Sequence, residues 1–244
     1  MKKTNGILHS ELFLSKQGLH HGFSTRTWGS MTPRLHDSDA KKNFLHELGL
    51  TEERLVLMKQ VHGDRIAVVT SGRTNFQVRE ADGLVTKEND LILSVRVADC
   101  VPLFFYDPKK KVIGVAHAGW RGTRLRLAQQ MIKKMKLLGA SEKSLLVFIG
   151  PHIGPCCYDI AKARENLFVQ EFGSGTQMFQ KRKDRTFLDL GYLNRMQCEL
   201  MGIKPANVEV FPLCTSCEKE LFFSYRRDAK EVFGEMMGIL CVAS

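Results

Sequence analysis

No apolar run in this chain is long enough to span a bilayer; the longest, such as VPLFFY at Val101–Tyr106, have only the length of a strand. The opening MKKTNGILHSELFLSKQG is basic but holds no continuous apolar stretch. No secretory leader is therefore expected, and the protein reads as soluble and cytoplasmic, with no membrane partner. Repeats of fixed period and low-complexity linkers are also missing, which argues for a single domain over residues 1–244. The cysteines number seven, an odd count without a leader, which argues against a disulfide framework. Each thiol has to be weighed as core filler, ligand or nucleophile.

Apolar residues make up 43% of the 244, enough for one substantial core or two closely packed lobes. The formal net charge is +10 and the pI about 9.3, a balance that favours anionic partners. That charge is spread along the chain. Its densest runs, Lys109–Lys111 and Lys181–Arg185, read as solvated loops. Neither a clustered basic helix nor an aromatic RNA-binding motif accompanies it, so nucleic acid is not expected as a partner.

Six segments have the composition and length of strands: Arg65–Thr70, Leu91–Val97, Val101–Tyr106, Val112–His117, Leu145–Ile149 and Val208–Phe211. HGFSTRTWGS reads as an extended piece entering a loop. In RLRLAQQMIKKMKLLG, Leu125, Ala128, Ile132 and Met135 recur at helical spacing, with Thr123 as N-cap and Gly139 as the stop. Phe187–Gly202 and Asp228–Leu240 are further helix candidates. The expected fold is mixed α/β, a compact domain whose mixed sheet contains an antiparallel hairpin and is flanked by helices.

The hairpin joins Val101–Tyr106 to Val112–His117 through DPKKK, a connector short enough to require antiparallel strands. Placing Tyr106 opposite Val112 puts Val101 opposite His117, and a one-residue change in turn length puts Cys100 there. In both registers Cys100 and His117 share one end of one ribbon. Opposed side chains on one face lie about 4.5–5.5 Å apart at Cβ, a spacing that suits joint work on one atom. Thiolate and imidazole both suit zinc. His62 in MKQVHGDRI is the best local third ligand, with His152 and the pair His20–His21 as alternatives.

After His117, Gly119 and Gly122 allow a tight bend, and Arg121 offers a fork of donors suited to phosphate. The turn reads either as an anion site or as an ordinary strand-to-helix turn over Trp120. It is not a nucleotide P-loop, since the lysine and the spacing are missing. Cys156 and Cys157 are adjacent, and Cys214 and Cys217 form a lone Cys-x-x-Cys. Adjacent cysteines do not readily grip one metal and the spacing is not that of a zinc ribbon, so a four-cysteine zinc is disfavoured. FFSYRRD, with Tyr225 and Arg226, reads either as a pocket wall that stacks a flat ring and grips an anion or as a helix-entry loop.

The segments HGFSTR, QVHGDRI, ADGLVT, ADCVPL, HAGWRGT, IGPHIGPCCYDI, LCTSC and FFSYRRD occur in that order over nearly the whole chain. Together they resemble the YfiH-type family, long labelled multicopper polyphenol oxidases or laccase-domain proteins and now understood as purine nucleoside phosphorylases with accompanying adenosine deaminase activity. The resemblance implies a catalytic zinc held by His62, Cys100 and His117. It also implies purine nucleosides (adenosine, inosine, methylthioadenosine-type) and phosphate as substrates. Arg26 of STR and Arg121 are candidates for the anion, and Tyr225 and Arg226 for the pocket wall. Two features depart from the family pattern: the compact loop TWGSMTPRLHDSDAKKN after Arg26, and Val97 where the family often has threonine.

The older label fails a count of ligands. A four-copper oxidase needs a His₂Cys site and a further imidazole-rich cluster, whereas these eight histidines are scattered with no His-x-His pair. Copper remains admissible only as an adventitious occupant of the His₂Cys site. A rival from another class is a metal-free hydrolase in which His117 activates Cys100 as nucleophile. Another is a basic nucleic-acid-binding module.

Overall fold

In the hairpin, side chains alternate as the two-residue period of a strand requires. A computed structural model describes residues 2–32, 38–70, 76–228 and 233–244. In it, Val101, Leu103 and Phe105 join Val112, Ala116 and Ala118 in a core shared with the helices Leu127–Leu137 and Leu190–Leu200. Phe104, Tyr106, Ile113 and Val115 face the other way, against Phe23, Leu93, Val95, Val97 and Leu240 of a second sheet. A third core, on that sheet's outer face, packs Ile92, Met237 and Ile239 against Phe44 and Leu45 of the helix Ser38–Glu47. The layers therefore run helix, sheet, sheet, helix. Each fully buried Leu, Phe or Met in them contributes roughly 1.5–3 kcal/mol.

The hairpin sheet has six strands in the order Val208–Val210, Leu146–Ile149, Val101–Asp107, Val112–Ala118, Gly83–Thr86 and Ile66–Val68. The facing sheet has seven: Lys2–Thr4, Ile7–His9, Leu19–Ser24, Met236–Val242, Ile92–Val97, Leu55–Met58 and Phe76–Val78. Both mix parallel and antiparallel pairs. A small third sheet joins Asp159–Ile160, Arg185–Leu188 and Phe179–Arg182. The mixed α/β fold and all six strand candidates are present, with ends shifted by one or two residues. The lysine run 109–111 is exposed in the hairpin turn; residues 181–185 are exposed too, but they form the end of the hairpin of strands Phe179–Arg182 and Arg185–Leu188 rather than the expected loop.

Three local expectations are corrected. The region expected as the helix Asp228–Leu240 contains the strand Met236–Val242, buried along its length between two neighbours; residues 229–232 lie outside the described ones. Thr123 does not cap the long helix. It lies within a short helix, Trp120–Arg124, and Arg126 in the left-handed region (φ 60°) breaks the chain before Leu127–Leu137 begins. The helix expected over Phe187–Gly202 starts later, at Leu190, because Arg185–Leu188 is a strand and the Asp189 carboxylate caps the helix by accepting the Tyr192 N–H at 2.8 Å.

His21 has a structural role in this frame. Its Nε2 accepts the Ser10 N–H at 3.1 Å, and its ring meets Phe13 edge-on. Burial, aided by the neighbouring His9 and His20, lowers its pKa to about 3. Unfolded, the imidazole binds a proton near pH 6.5, but the folded form does not until about 3. Stability is therefore full above 6.5 and falls with pH, by up to about 1.4 kcal/mol per unit, across that window. His21→Gln, which keeps an acceptor without the basic ring, is expected to flatten the melting temperature against pH between 6.5 and 4. An unchanged slope would remove His21 as its source.

Candidate metal centre and its cleft

Between Met58 and Val101 the chain passes back and forth between the two sheets, and its shortest crossing comes after Val97. The chain leaves the seven-stranded sheet at Val97 and enters the six-stranded sheet at Val101. Asp99 makes the turn with φ +87°, a conformation rare for a residue with a side chain. Its buried carboxylate holds the strain by accepting from Thr215 Oγ1 (2.7 Å), Ser224 Oγ (3.0 Å) and the Arg226 N–H (2.6 Å). Burial pushes the Asp99 carboxyl up from its usual range, partly offset by these donors. Cys100 is thereby presented at the seam.

His117 arrives from the hairpin partner. The observed register sets it opposite Pro102, one residue away from the first expected pairing and in the direction not considered. Asp107 extends the first strand, and Lys111 closes the turn with φ +53°. Pro102 and Cys100 have the same parity, so the thiol still points to the face of His117. His62 comes from the loop after Leu55–Met58, tied to the neighbouring strand by Gln60. That side chain donates to the Arg96 carbonyl (2.7 Å) and accepts the Arg96 N–H (2.9 Å). The ligand atoms of His62, Cys100 and His117 lie within 4.8 Å of one another, and the two rings meet edge-on at 4.6 Å. Gly119 is required by this closeness: a Cβ there would sit 3.0 Å from Cys100 Sγ and 3.1 Å from His62 Cδ2.

Asp82, fully buried, organises two of the three. One carboxylate accepts the N–H groups of Val61 (3.2 Å), His62 (3.0 Å) and Gly63 (2.7 Å) and also faces His117 Nδ1 at 2.8 Å. His62 is held at φ +59° by that cradle. His117 is fixed so that Nε2 turns toward Cys100. This is the carboxylate–histidine arrangement that orients imidazoles for a metal, and the N₂S donor set fits zinc. Burial opposes charge at both deeper groups, but their mutual attraction prevails. Beside His117 and His62 the Cys100 thiol falls to about 7, while Cys100 and Asp82 raise His117 to about 10.

The group opens on a cleft of about 1240 Å³ whose lining includes Trp120, Tyr158, Asp159, Arg164, Tyr225 and Arg226. Of the expected substrate residues, Tyr225 and Arg226 line it. Tyr225 stands edge-on to Phe233 at 5.0 Å. Arg226 lies over the Tyr158 ring at 5.1 Å and pairs with Asp159. Arg26 and Arg121 are not among the lining residues. Arg26 is engaged with Asp228 (3.5 Å) and the Phe223 ring (4.6 Å), and Arg121 stacks on Trp120 at 4.6 Å. The alternative ligands lie elsewhere: His152 is buried with Nδ1 at 2.8 Å from the Gly150 carbonyl, and His20 and His21 sit in a strand of the far sheet.

Sequence reading missed Asp82, Asp99 and Arg164. The paired signals ADG and ADC were visible as motifs, yet nothing in them says that one aspartate cradles a loop and the other turns a corner. Arg164 sits on the helix Lys162–Phe172, between Trp120 (4.4 Å to the ring centre) and the Tyr158 hydroxyl (3.3 Å). It pairs with no carboxylate among the described residues, whereas the other cleft cations Lys59, Arg96 and Arg226 each do.

A family model described as multi-copper polyphenol oxidoreductase laccase matches residues 17–243. Purine nucleoside phosphorylase YlmD of Bacillus subtilis is 32% identical over 244 residues, covering 93% of this chain and 86% of that protein. Adenosine deaminase RL5, from an unknown prokaryotic organism, is 28% identical over 198 residues, covering 78% and 76%. The crystal structure of YlmD from Geobacillus stearothermophilus superposes with a TM-score of 0.91 at 28% identity, covering 100% of this chain and 98% of that one. Among the described residues, no helix is long and apolar enough to cross a membrane.

Proposed function

The chain belongs to the multi-copper polyphenol oxidoreductase laccase family, and on that premise we propose that it is a zinc-dependent purine nucleoside phosphorylase that also deaminates adenosine. The observation that carries this reading is the convergence of His62, Cys100 and His117 on one point of a cleft walled by aromatics and by Arg164, which pairs with no carboxylate among the described residues. The copper label finds no support in the ligands. Among the described residues, no other group of three or more potential ligands with ligand atoms within 4.8 Å of one another contains a histidine. His62, Cys100 and His117 would hold the metal, which would supply Lewis-acid chemistry.

The protein's own residues do the rest. Asp82 holds His117 and the His62 loop in place. Tyr158, Trp120 and Tyr225 offer ring faces and edges to a purine. Arg164 has its charge unspent and stands beside Arg226 across Tyr158, a pair of forks suited to phosphate oxygens. Phosphate attack at C1′ of the ribose requires that anion to be held, whereas attack of water at C6 of adenosine does not. The two reactions therefore separate by mutation.

Incubation with adenosine and inosine, with and without phosphate, with products resolved by chromatography, tests the assignment. Phosphate is expected to convert inosine to hypoxanthine and ribose 1-phosphate, and adenosine without phosphate to yield inosine. In Arg164→Gln the KM for phosphate is expected to rise roughly 10- to 100-fold, the loss of one or two charge-assisted hydrogen bonds, while deamination holds. Equal loss of both reactions would remove Arg164 as the phosphate ligand. No release of base from either nucleoside would remove the function.

A further inference from the structure

We infer that the protein holds a second metal ion, a zinc bound by Cys156, Cys157, Cys214 and Cys217, that fastens one wall of the cleft. The four sulfurs all lie within 4.8 Å of one another, with Cys217 Sγ at 3.5 Å from Cys156 and 3.4 Å from Cys157. Four sulfurs about 2.3 Å from a tetrahedral zinc stand about 3.8 Å apart, between these limits. Thiolates alone, in a tetrahedral set, select zinc among the common divalent ions.

Two tight turns create the group. In one, the N–H groups of Cys157 and Tyr158 both donate to the Gly154 carbonyl at 3.0 Å. In the other, Cys217 and Glu218 donate to the Cys214 carbonyl at 3.2 and 3.1 Å. A parallel bridge between His152 and Cys214 and the Thr215 N–H to the His152 carbonyl (3.0 Å) dock the turns. Sequence adjacency of Cys156 and Cys157 is no obstacle, because the turn directs both side chains to Cys217. The Gly154 N–H donates to Cys214 Sγ at 3.2 Å. Such an N–H to sulfur bond orients a thiolate ligand and spreads its charge. Arg182 closes over the group, its guanidinium on the carbonyls of Cys156 (3.2 Å) and Pro155 (3.4 Å). That cation stands beside a zinc tetrathiolate of net charge −2.

The consequence reaches the cleft. The first turn leads directly into Tyr158 and Asp159, and the second carries Thr215, which bonds Asp99 beside Cys100. A metal joining the turns fixes the platform on which Arg226 and Arg164 rest.

The test uses protein purified under reducing conditions, with zinc counted by elemental analysis and Co²⁺ as the spectroscopic probe. Wild type is expected to hold about two zinc ions per chain, and Cys100→Ala about one. Cobalt in the Cys100→Ala protein should show the intense thiolate-to-metal charge transfer of a four-sulfur site. Cys217→Ser, at an exposed position, should lose that band when added to Cys100→Ala and, when made alone, should keep the His62–Cys100–His117 zinc, so the two sites fail independently. In wild type, zinc should protect all four thiols from alkylation, a reading that does not depend on the variants folding. A reduced Cys100→Ala protein that binds neither Zn²⁺ nor Co²⁺ would overturn the inference. So would thiols alkylated equally with and without zinc, or iron with labile sulfide at the site.

Discussion

Cys100→Ala is expected to lower phosphate-dependent cleavage of inosine by about 10³-fold or more, and to remove one zinc from each chain. Sulfur is the softest of the three donors at this centre and its only anionic one. Its loss leaves two imidazoles, too few to hold a divalent ion against free chelators. A Lewis acid in such a site lowers the barrier by several kcal/mol, and about 4 kcal/mol corresponds to a thousandfold in rate. His117→Ala is expected to fall equally, because the residues act as one unit. Circular dichroism and thermal unfolding of both variants check that the fold survives. Near-normal turnover by Cys100→Ala with normal folding would remove the thiol from the chemistry, whether as ligand or as nucleophile.

Asp82→Ala is expected to cost as much through a different route. The carboxylate touches no substrate in this account; it is a positioning residue. Its removal leaves the buried His117 Nδ1 without its partner, at a cost of about 1–3 kcal/mol, and deprives three partly buried backbone N–H groups of the acceptor that holds their loop. Global stability should drop by about 3 kcal/mol or more, read by denaturant unfolding. His62 should relax from its left-handed conformation, and zinc affinity should fall about 10- to 100-fold in competition with a chelator. Asp82→Asn keeps the shape and one acceptor oxygen, so partial rescue of both quantities is expected. A merely structural role would move stability without moving zinc affinity, and that outcome would remove Asp82 from the centre.

The parts of this architecture that were legible share a physical feature: their signal is local. Val101–Asp107 and Val112–Ala118 are buried on both faces and apolar but for Asp107 and His117, and their short connector forces an antiparallel pair. That pair carries Cys100 and His117 to one place whichever register is chosen. The register itself turned on one left-handed lysine, Lys111, which composition does not announce. Met236–Val242 was misread because a central strand buried on both faces loses the alternation that marks a strand, and its methionines and leucine suit a helix equally.

The convergence of His62, Cys100 and His117 was legible, and the cations that line the cleft beside them were less so. Arg26 and Arg121 have the right chemistry, but each is engaged with neighbours that only the fold supplies, Asp228 with Phe223 and Trp120 respectively. Arg164 lies between two rings, Trp120 and Tyr158, and no spacing rule links it to either. The four cysteines were set aside on spacing grounds. Two turns some sixty residues apart bring them together, a juxtaposition set by docking of backbone rather than by any local pattern.

Chelation and restoration on a single preparation of wild-type protein reach the main claim most directly. The protein is stripped with a chelator, assayed for phosphate-dependent release of hypoxanthine from inosine, and then titrated with Zn²⁺ while metal content is measured alongside. Activity is expected to vanish with the metal and to return in step with zinc at the His62–Cys100–His117 centre, while Cys100→Ala taken through the same cycle stays inactive. Full turnover by the stripped protein would contradict the account and leave Cys100 to act as a thiolate nucleophile without metal.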